Sequence, residues 1–199
     1  MKYKSISDKI IELRNADLAC RDRLRVEGQL DTGYHREMNE MHNRNADILH
    51  QIIIEIGYPT EDKVGKEAHE AAWLVIQHAI GLPDFMRNCA VLLESAVAEQ
   101  KASPVHLAYL QDRIAVFEGR PQLYGTQYDW DEEGRMSPYD MDDDLEVNAR
   151  RIAIGLTALD VHIKHIRNQV EKENERPPAD YNRRTAERDI WRRRVGWIV

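Results

Sequence analysis

Ile6, Ile10, Leu13, Asp17, Cys20 and Leu24 follow one another at alternating steps of four and three. That spacing keeps side chains on one face of an α-helix and rules out the two-residue alternation of a strand. Residues 34–56 repeat it through Tyr34, Met38, Met41, Asn45, Ile48 and Ile52, and Gly28 and Gly33 lie in the connection. The two segments are therefore expected to pair as an antiparallel hairpin. Each seam carries one polar residue near its middle, Asp17 and Asn45, and a hairpin brings them to about the same level. Two readings follow: a contact that fixes register, as buried Asn does in coiled coils, or part of a site.

The same periodicity continues. Gly57 and Pro59 stop the second helix; a third is expected over 66–80, ended by Gly81-Leu82-Pro83, and a fourth over 84–100 with Phe85, Cys89, Leu92 and Ala96 on one stripe. Ser103-Pro104 opens a fifth with Leu107, Leu110, Ile114 and Phe117 inward. Leu145, Ala149, Ile152, Leu156, Leu159, Ile163, Ile166 and Val170 keep heptad spacing and predict one long sixth helix, after which Pro177-Pro178 breaks the chain before a short Arg-rich helix over 184–195. Between the fifth and sixth, Glu133-Gly134 is placed to turn a small hairpin with 124–130 as one arm. The expected fold is all-α: an irregular bundle of about six helices in one domain over residues 1–175, with a long polar and aromatic loop, and an Arg-rich segment over 176–199.

Charge narrows the function classes. The formal net charge of −7 lacks the basic footprint that nucleic-acid binding needs. Acids crowd residues 129–146 and arginines crowd 183–194, either as solvated surface or as segments that meet each other or a partner, including a second copy of the chain. Cys20 and Cys89 lie in apolar helical patterns far apart, which suits reduced, buried thiols. No stretch approaches transmembrane length and no signal-peptide core is present, so no membrane partner is expected and the chain reads as cytoplasmic.

Polar side chains interrupt the apolar pattern at a few points. Gln77-His78 breaks the run AAWLVIQHAIGL, and Ala71, Leu74 and Val75 direct His78 with the apolar face of its helix. Asp112, next to Arg113, shares a face with Tyr109 and Val116 and needs a partner if it points inward. Histidine is suited to proton transfer near neutral pH, and a carboxylate fixes its tautomer, so His78 with Asp112 forms a candidate acid–base pair. The alternative for His78 is a satisfied core histidine. In the loop GRPQLYGTQ, Gln122, Tyr124, Thr126 and Gln127 surround Gly125, either to read a polar ligand or to satisfy buried backbone. For metals, His162 with His165 and Asp47 with His50 have ligating spacing on one helix, but no Glu-x-x-His, His-Asp or HExxH motif occurs, so no metal and no cofactor is expected.

The ordered set GYP at 57–59, VG at 64–65, AAWLVIQHA at 71–79, YLQDRI at 109–114, GRPQLYGTQ at 119–127 and VNARRIAIGL at 147–156 resembles the domain-of-unknown-function family DUF6624 over roughly residues 40–160. The ending from Trp191 to Gly196-Trp197 is similar as well, while Tyr58 stands where the pattern often has Trp. The resemblance carries no reaction. It implies that Gln77, His78, Asp112, Arg113, Gln122, Tyr124, Gly125, Thr126, Gln127 and Arg151 are the positions on which the family pattern is built.

Three functional classes remain open on these residues. The first is a metal-independent enzyme on a polar small-molecule or peptide-like substrate, with His78 as acid–base group, Asp112 orienting it, and Gln77, Arg113, Gln122, Tyr124, Thr126, Gln127 and Arg151 contacting substrate. The second is a binding module using the same pocket without turnover. The third is a helical interaction protein whose polar residues hold the loop. A closed, fully satisfied polar network favours the third.

Overall fold

The computed structural model describes residues 2–29 and 34–199; Gly33, expected in the first connection, lies outside the described residues. Among the described residues there are nine helices and one two-stranded sheet, so the fold is all-α apart from a small hairpin. The chain divides into two compact units, Met1–Ser103 and Pro104–Val199, where the sequence reading drew a single domain over 1–175.

The first unit holds α1 (Lys4–Val26), α2 (Arg36–Ile56), α3 (Glu61–Val64), α4 (Lys66–His78) and α5 (Pro83–Ala98). Contacts from Arg23 to Glu37, Asp17 to His42 and Leu13 to Asn45 run in opposite chain directions, so α1 and α2 are antiparallel, as expected. Gly57, with φ of +70°, ends α2 in a conformation that L side chains rarely adopt. Ile10, Leu24, Leu49, Val64, Ile76, Met86 and Leu93 are fully buried and form the centre of this unit.

The inward face of α1 is the expected one: Ile10, Leu13, Asp17, Cys20 and Leu24 are buried. That of α2 is turned from expectation. After Met38 the buried positions are His42, Asn45, Ala46 and Leu49 rather than Met41 and Ile48. Steps of three and four both stay on one helical face, so Met38 leads as readily to His42 as to Met41; packing on α1 selects the histidine. Asp17 and Asn45 are both buried, yet they do not bond to each other. The Asn45 amide donates to the Leu13 carbonyl at 3.0 Å, one turn before Asp17.

The second unit holds α6 (Pro104–Glu118), β1 (Tyr128–Trp130), β2 (Met136–Pro138), α7 (Val147–Ala153), α8 (Leu159–Lys172) and α9 (Tyr181–Val195). The hairpin turns where Glu133-Gly134 predicted, with Asp129 opposite Ser137, and Asp131 accepts from the Arg135 amide at 2.8 Å to close it. The long sixth helix is broken in two. Gly155 takes a φ of +83°, and Arg151 donates through Nε to the Thr157 carbonyl at 2.6 Å, stabilising a turn between α7 and α8. Leu145 and Ile152, assigned inward by the heptad, are exposed.

The Arg-rich end folds onto the acidic segment. Arg184 meets Asp129 at 2.5 Å, and Arg188 donates to the Tyr139 hydroxyl at 2.7 Å, which itself donates to Asp129 at 2.7 Å. Gly196 closes α9 in the left-handed conformation, and Trp197 then stacks on Phe117 with ring centroids 5.2 Å apart. Both cysteines are buried and free. No helix of the described residues is long and apolar enough to cross a membrane.

Candidate functional site

His78 closes α4, and Asp17 lies mid-way along α1 with its carboxylate 1 % exposed. Nδ1 of His78 stands 2.7 Å from Oδ2 of Asp17. From α2, Nε2 of His42 approaches Oδ1 of the same carboxylate at 3.3 Å, and the two imidazole rings lie 4.9 Å apart. The Tyr34 hydroxyl reaches Nδ1 of His42 at 2.5 Å. Three helices thus deliver one carboxylate and two imidazoles to a buried point.

The protonation pattern follows from what each group can do. Burial alone would raise the Asp17 carboxyl, but hydrogen bonds from His42 and His78, with their charge, hold it well below the usual carboxylate range. An ionised carboxylate only accepts, so both imidazoles donate to it. His42 must then accept at Nδ1, and Tyr34, whose phenol is pushed up by burial and by the Asp17 charge, keeps its proton to donate there. With Nδ1 of His78 turned to Asp17, no partner among the described residues takes its Nε2. Its side chain is 21 % exposed. Tyr34, His42, Asp17 and His78 form one chain of hydrogen bonds that ends at Nε2 of His78.

Two further polar groups flank His42 on α2. Oδ1 of Asn39 and Oδ1 of Asn43 are shielded from solvent and have no hydrogen-bond partner among the described residues. Both converge on Gly81, where a Cβ would lie 2.9 Å and 2.8 Å from them. A side chain at that position would have to push both amides aside.

The sequence reading assigned Asp112 to His78. The carboxylate on His78 is Asp17, and Asp112 serves the loop of the second unit. Asp112 is fully buried and accepts from the backbone amides of Leu123 at 2.8 Å, Tyr124 at 3.2 Å and Thr126 at 3.0 Å, and from the Thr126 hydroxyl at 3.0 Å. Burial pushes its carboxyl up while those bonds draw it back. Gln122, also fully buried, donates to the carbonyls of Tyr139 at 2.9 Å and Gln127 at 3.1 Å and accepts from the Gln127 amide at 3.0 Å. Arg151 donates to the carbonyls of Tyr124 at 2.6 Å and Gly125 at 3.2 Å. Arg113, lowered to about 10 by burial, donates to Gln127 Oε1 at 3.1 Å. Gly125 sits with φ of +61° against Leu159 and Met141.

The residues expected to read substrate there give these polar atoms to the loop itself. Tyr124 is half-buried, and Gln77 lies buried on α4. His162 and His165 stack at 6.4 Å without a third ligand beside them.

Sequence reasoning passed over His42, placed Tyr34 only in the apolar seam, and left Asp17 open between a register contact and part of a site. The signal available was the buried-face position of Asp17 in an apolar seam and a histidine four residues after Met38.

A family model describing a family of unknown function, DUF6624, matches residues 5–172. The chain belongs to that family. The match starts well before the residues that carried the resemblance and takes in Asp17 and His42 as well as His78 and Asp112. No curated protein and no solved structure matches the chain.

Proposed function

We propose that the Asp17–His42–His78 cluster is the acid–base centre of an enzyme acting on a polar small-molecule or peptide-like substrate. His78 is the group that takes up and returns the proton. The observation that carries this reading is the 2.7 Å bond from His78 Nδ1 to Asp17, which orients the imidazole and leaves Nε2 without a partner among the described residues on a side chain that is 21 % exposed. Asp17 is a positioning residue: its ion-pair partners among the described residues are the two imidazoles, and its charge favours the imidazolium that forms when His78 accepts a proton. His42 and Tyr34 hold Asp17 in place. Two buried free thiols suit a reducing compartment such as the cytoplasm.

A second reading, a helical interaction protein or a binding module without turnover, draws its support from the loop around Asp112, whose polar network is closed on itself.

The test is metabolite profiling of a cell extract incubated with the purified protein and with His78→Gln. Gln retains a donor for Asp17 but cannot shuttle a proton, so depletion of a substrate by the native protein should fall about 10²–10⁴-fold in the variant at an unchanged melting temperature. Equal depletion by both proteins, or loss of activity only in step with loss of fold, overturns the assignment.

A further inference from the structure

We infer that Asp17, His42 and His78 also form a binding site for a divalent transition-metal ion, with zinc as the representative ion. The ligand atoms offered by these three residues all lie within 4.8 Å of one another. A tetrahedral zinc ion with bonds of about 2.0–2.2 Å spaces its ligand atoms about 3.3 Å apart. Oδ1 of Asp17 lies 3.3 Å from His42 Nε2 and Oδ2 lies 2.7 Å from His78 Nδ1, so with every ligand atom within 4.8 Å of the others the side chains need to move by no more than about 1.5 Å to close on an ion. Two nitrogens and one carboxylate suit zinc and its neighbours, whereas calcium and magnesium prefer all-oxygen shells. Three protein ligands leave a fourth position for solvent, and His78, 21 % exposed, is the member of the cluster nearest to water.

Charge argues the same way. Asp17 is 1 % exposed, and its only ion-pair partners among the described residues are two histidines, with no Lys or Arg. A buried carboxylate needs a positive partner, and a metal ion is one of the few that fit a closed space. Tyr34 completes the arrangement. When Nε2 of His42 ligates, Nδ1 carries the proton, and the Tyr34 oxygen at 2.5 Å is placed to accept it. An outer-shell acceptor of that kind commonly accompanies a ligating histidine and fixes its ring. The ligands come from α1, α2 and α4, which is why no spacing within one helix announces the site.

This inference does not rest on the proton-transfer reading. In the metal form, Nδ1 of His78 bonds the ion and Nε2 holds the proton; in the metal-free form the two roles are exchanged.

Isothermal titration of the full chain, stripped with chelator, with zinc chloride tests it, and cobalt(II) absorption reports coordination number. One ion per chain and the intense visible bands of four-coordinate cobalt are expected. His78→Ala and Asp17→Asn should each weaken binding at least about 100-fold, and Tyr34→Phe, which keeps all three ligands, about 10–100-fold. His162→Ala with His165→Ala should leave binding unchanged. Circular dichroism establishes that each variant is folded; should Asp17→Asn not fold, His78→Ala and Tyr34→Phe decide. No saturable zinc binding in the native chain overturns the proposal, as does binding abolished by the His162/His165 variant. Loss of the metal site with persistence of a His78-dependent reaction would leave the acid–base reading standing alone.

Discussion

Oδ2 of Asp17 accepts a 2.7 Å hydrogen bond from Nδ1 of His78, a residue 61 positions further along the chain. That bond joins the middle of α1 to the last residue of α4, and the second oxygen of the same carboxylate is taken by His42 from α2. One buried anion therefore ties three helices together.

Asp17→Asn places an amide group against an imidazole donor and should lower stability by roughly 1–3 kcal/mol at neutral pH. The Asp17 carboxyl is held below its ordinary value, so its contribution is present above the unfolded value of about 3.9 and is lost as pH falls through the folded one. Urea midpoints of metal-free native and variant protein should accordingly converge in strong acid. A gap that stays constant down the acid limb would show that the histidines do not hold Asp17 ionised.

Asp112→Ala removes the acceptor for three backbone amides and one hydroxyl. Several buried donors are then unpaired at about 1–3 kcal/mol for each that finds no water, so the 122–127 loop should lose its hydrogen-exchange protection. Retained protection at the Leu123 and Thr126 amides would count against Asp112 as the loop's anchor.

Gly125→Ala should be damaging for two separate reasons. The backbone has a positive φ, and the new Cβ would lie 2.8 Å from a Leu159 methyl and 3.1 Å from the Met141 sulfur. A drop in melting temperature is expected, with Leu159→Ala in the same chain relieving only the steric part. Full recovery in the double variant would show that backbone conformation contributes nothing.

Neither cysteine should react in the folded protein. Burial pushes the Cys89 thiol up to about 12 and, with the Glu37 charge, raises Cys20 as well, so little thiolate forms until strongly alkaline pH. Ellman's reagent should find no fast thiol under native conditions and two in denaturant. One fast native thiol would mean that α1 opens locally around Cys20.

Asn45→Leu should change stability by less than about 1 kcal/mol. The amide donates to the carbonyl of Leu13, within α1, so the loss is one added hydrogen bond and the gain is apolar burial. A large destabilisation, read from denaturant midpoints, would mean that the amide carries more of the α1–α2 contact than this one bond.

The sequence by itself determined most of the helices, many of their ends and the inward face of α1, because 3.6-residue periodicity, Gly57, Pro83 and Ser103-Pro104 act within a few residues of where they stand. It also marked the Glu133-Gly134 turn and the pairing of arginine-rich and acidic segments as one of two readings. Only the tertiary structure decided the rest. The heptad from Leu145 to Val170 is a local pattern, but Gly155 and the Arg151 bond to the Thr157 carbonyl break it. Spacing on α2 was compatible with Met41 or His42 inward, and packing against α1 chose His42. Partners for Asp17, His78 and Asp112 depend on which helices meet at which level, and a carboxylate bonds whichever donors the fold delivers. Periodicity says which face a side chain shares; it does not say whose face lies opposite.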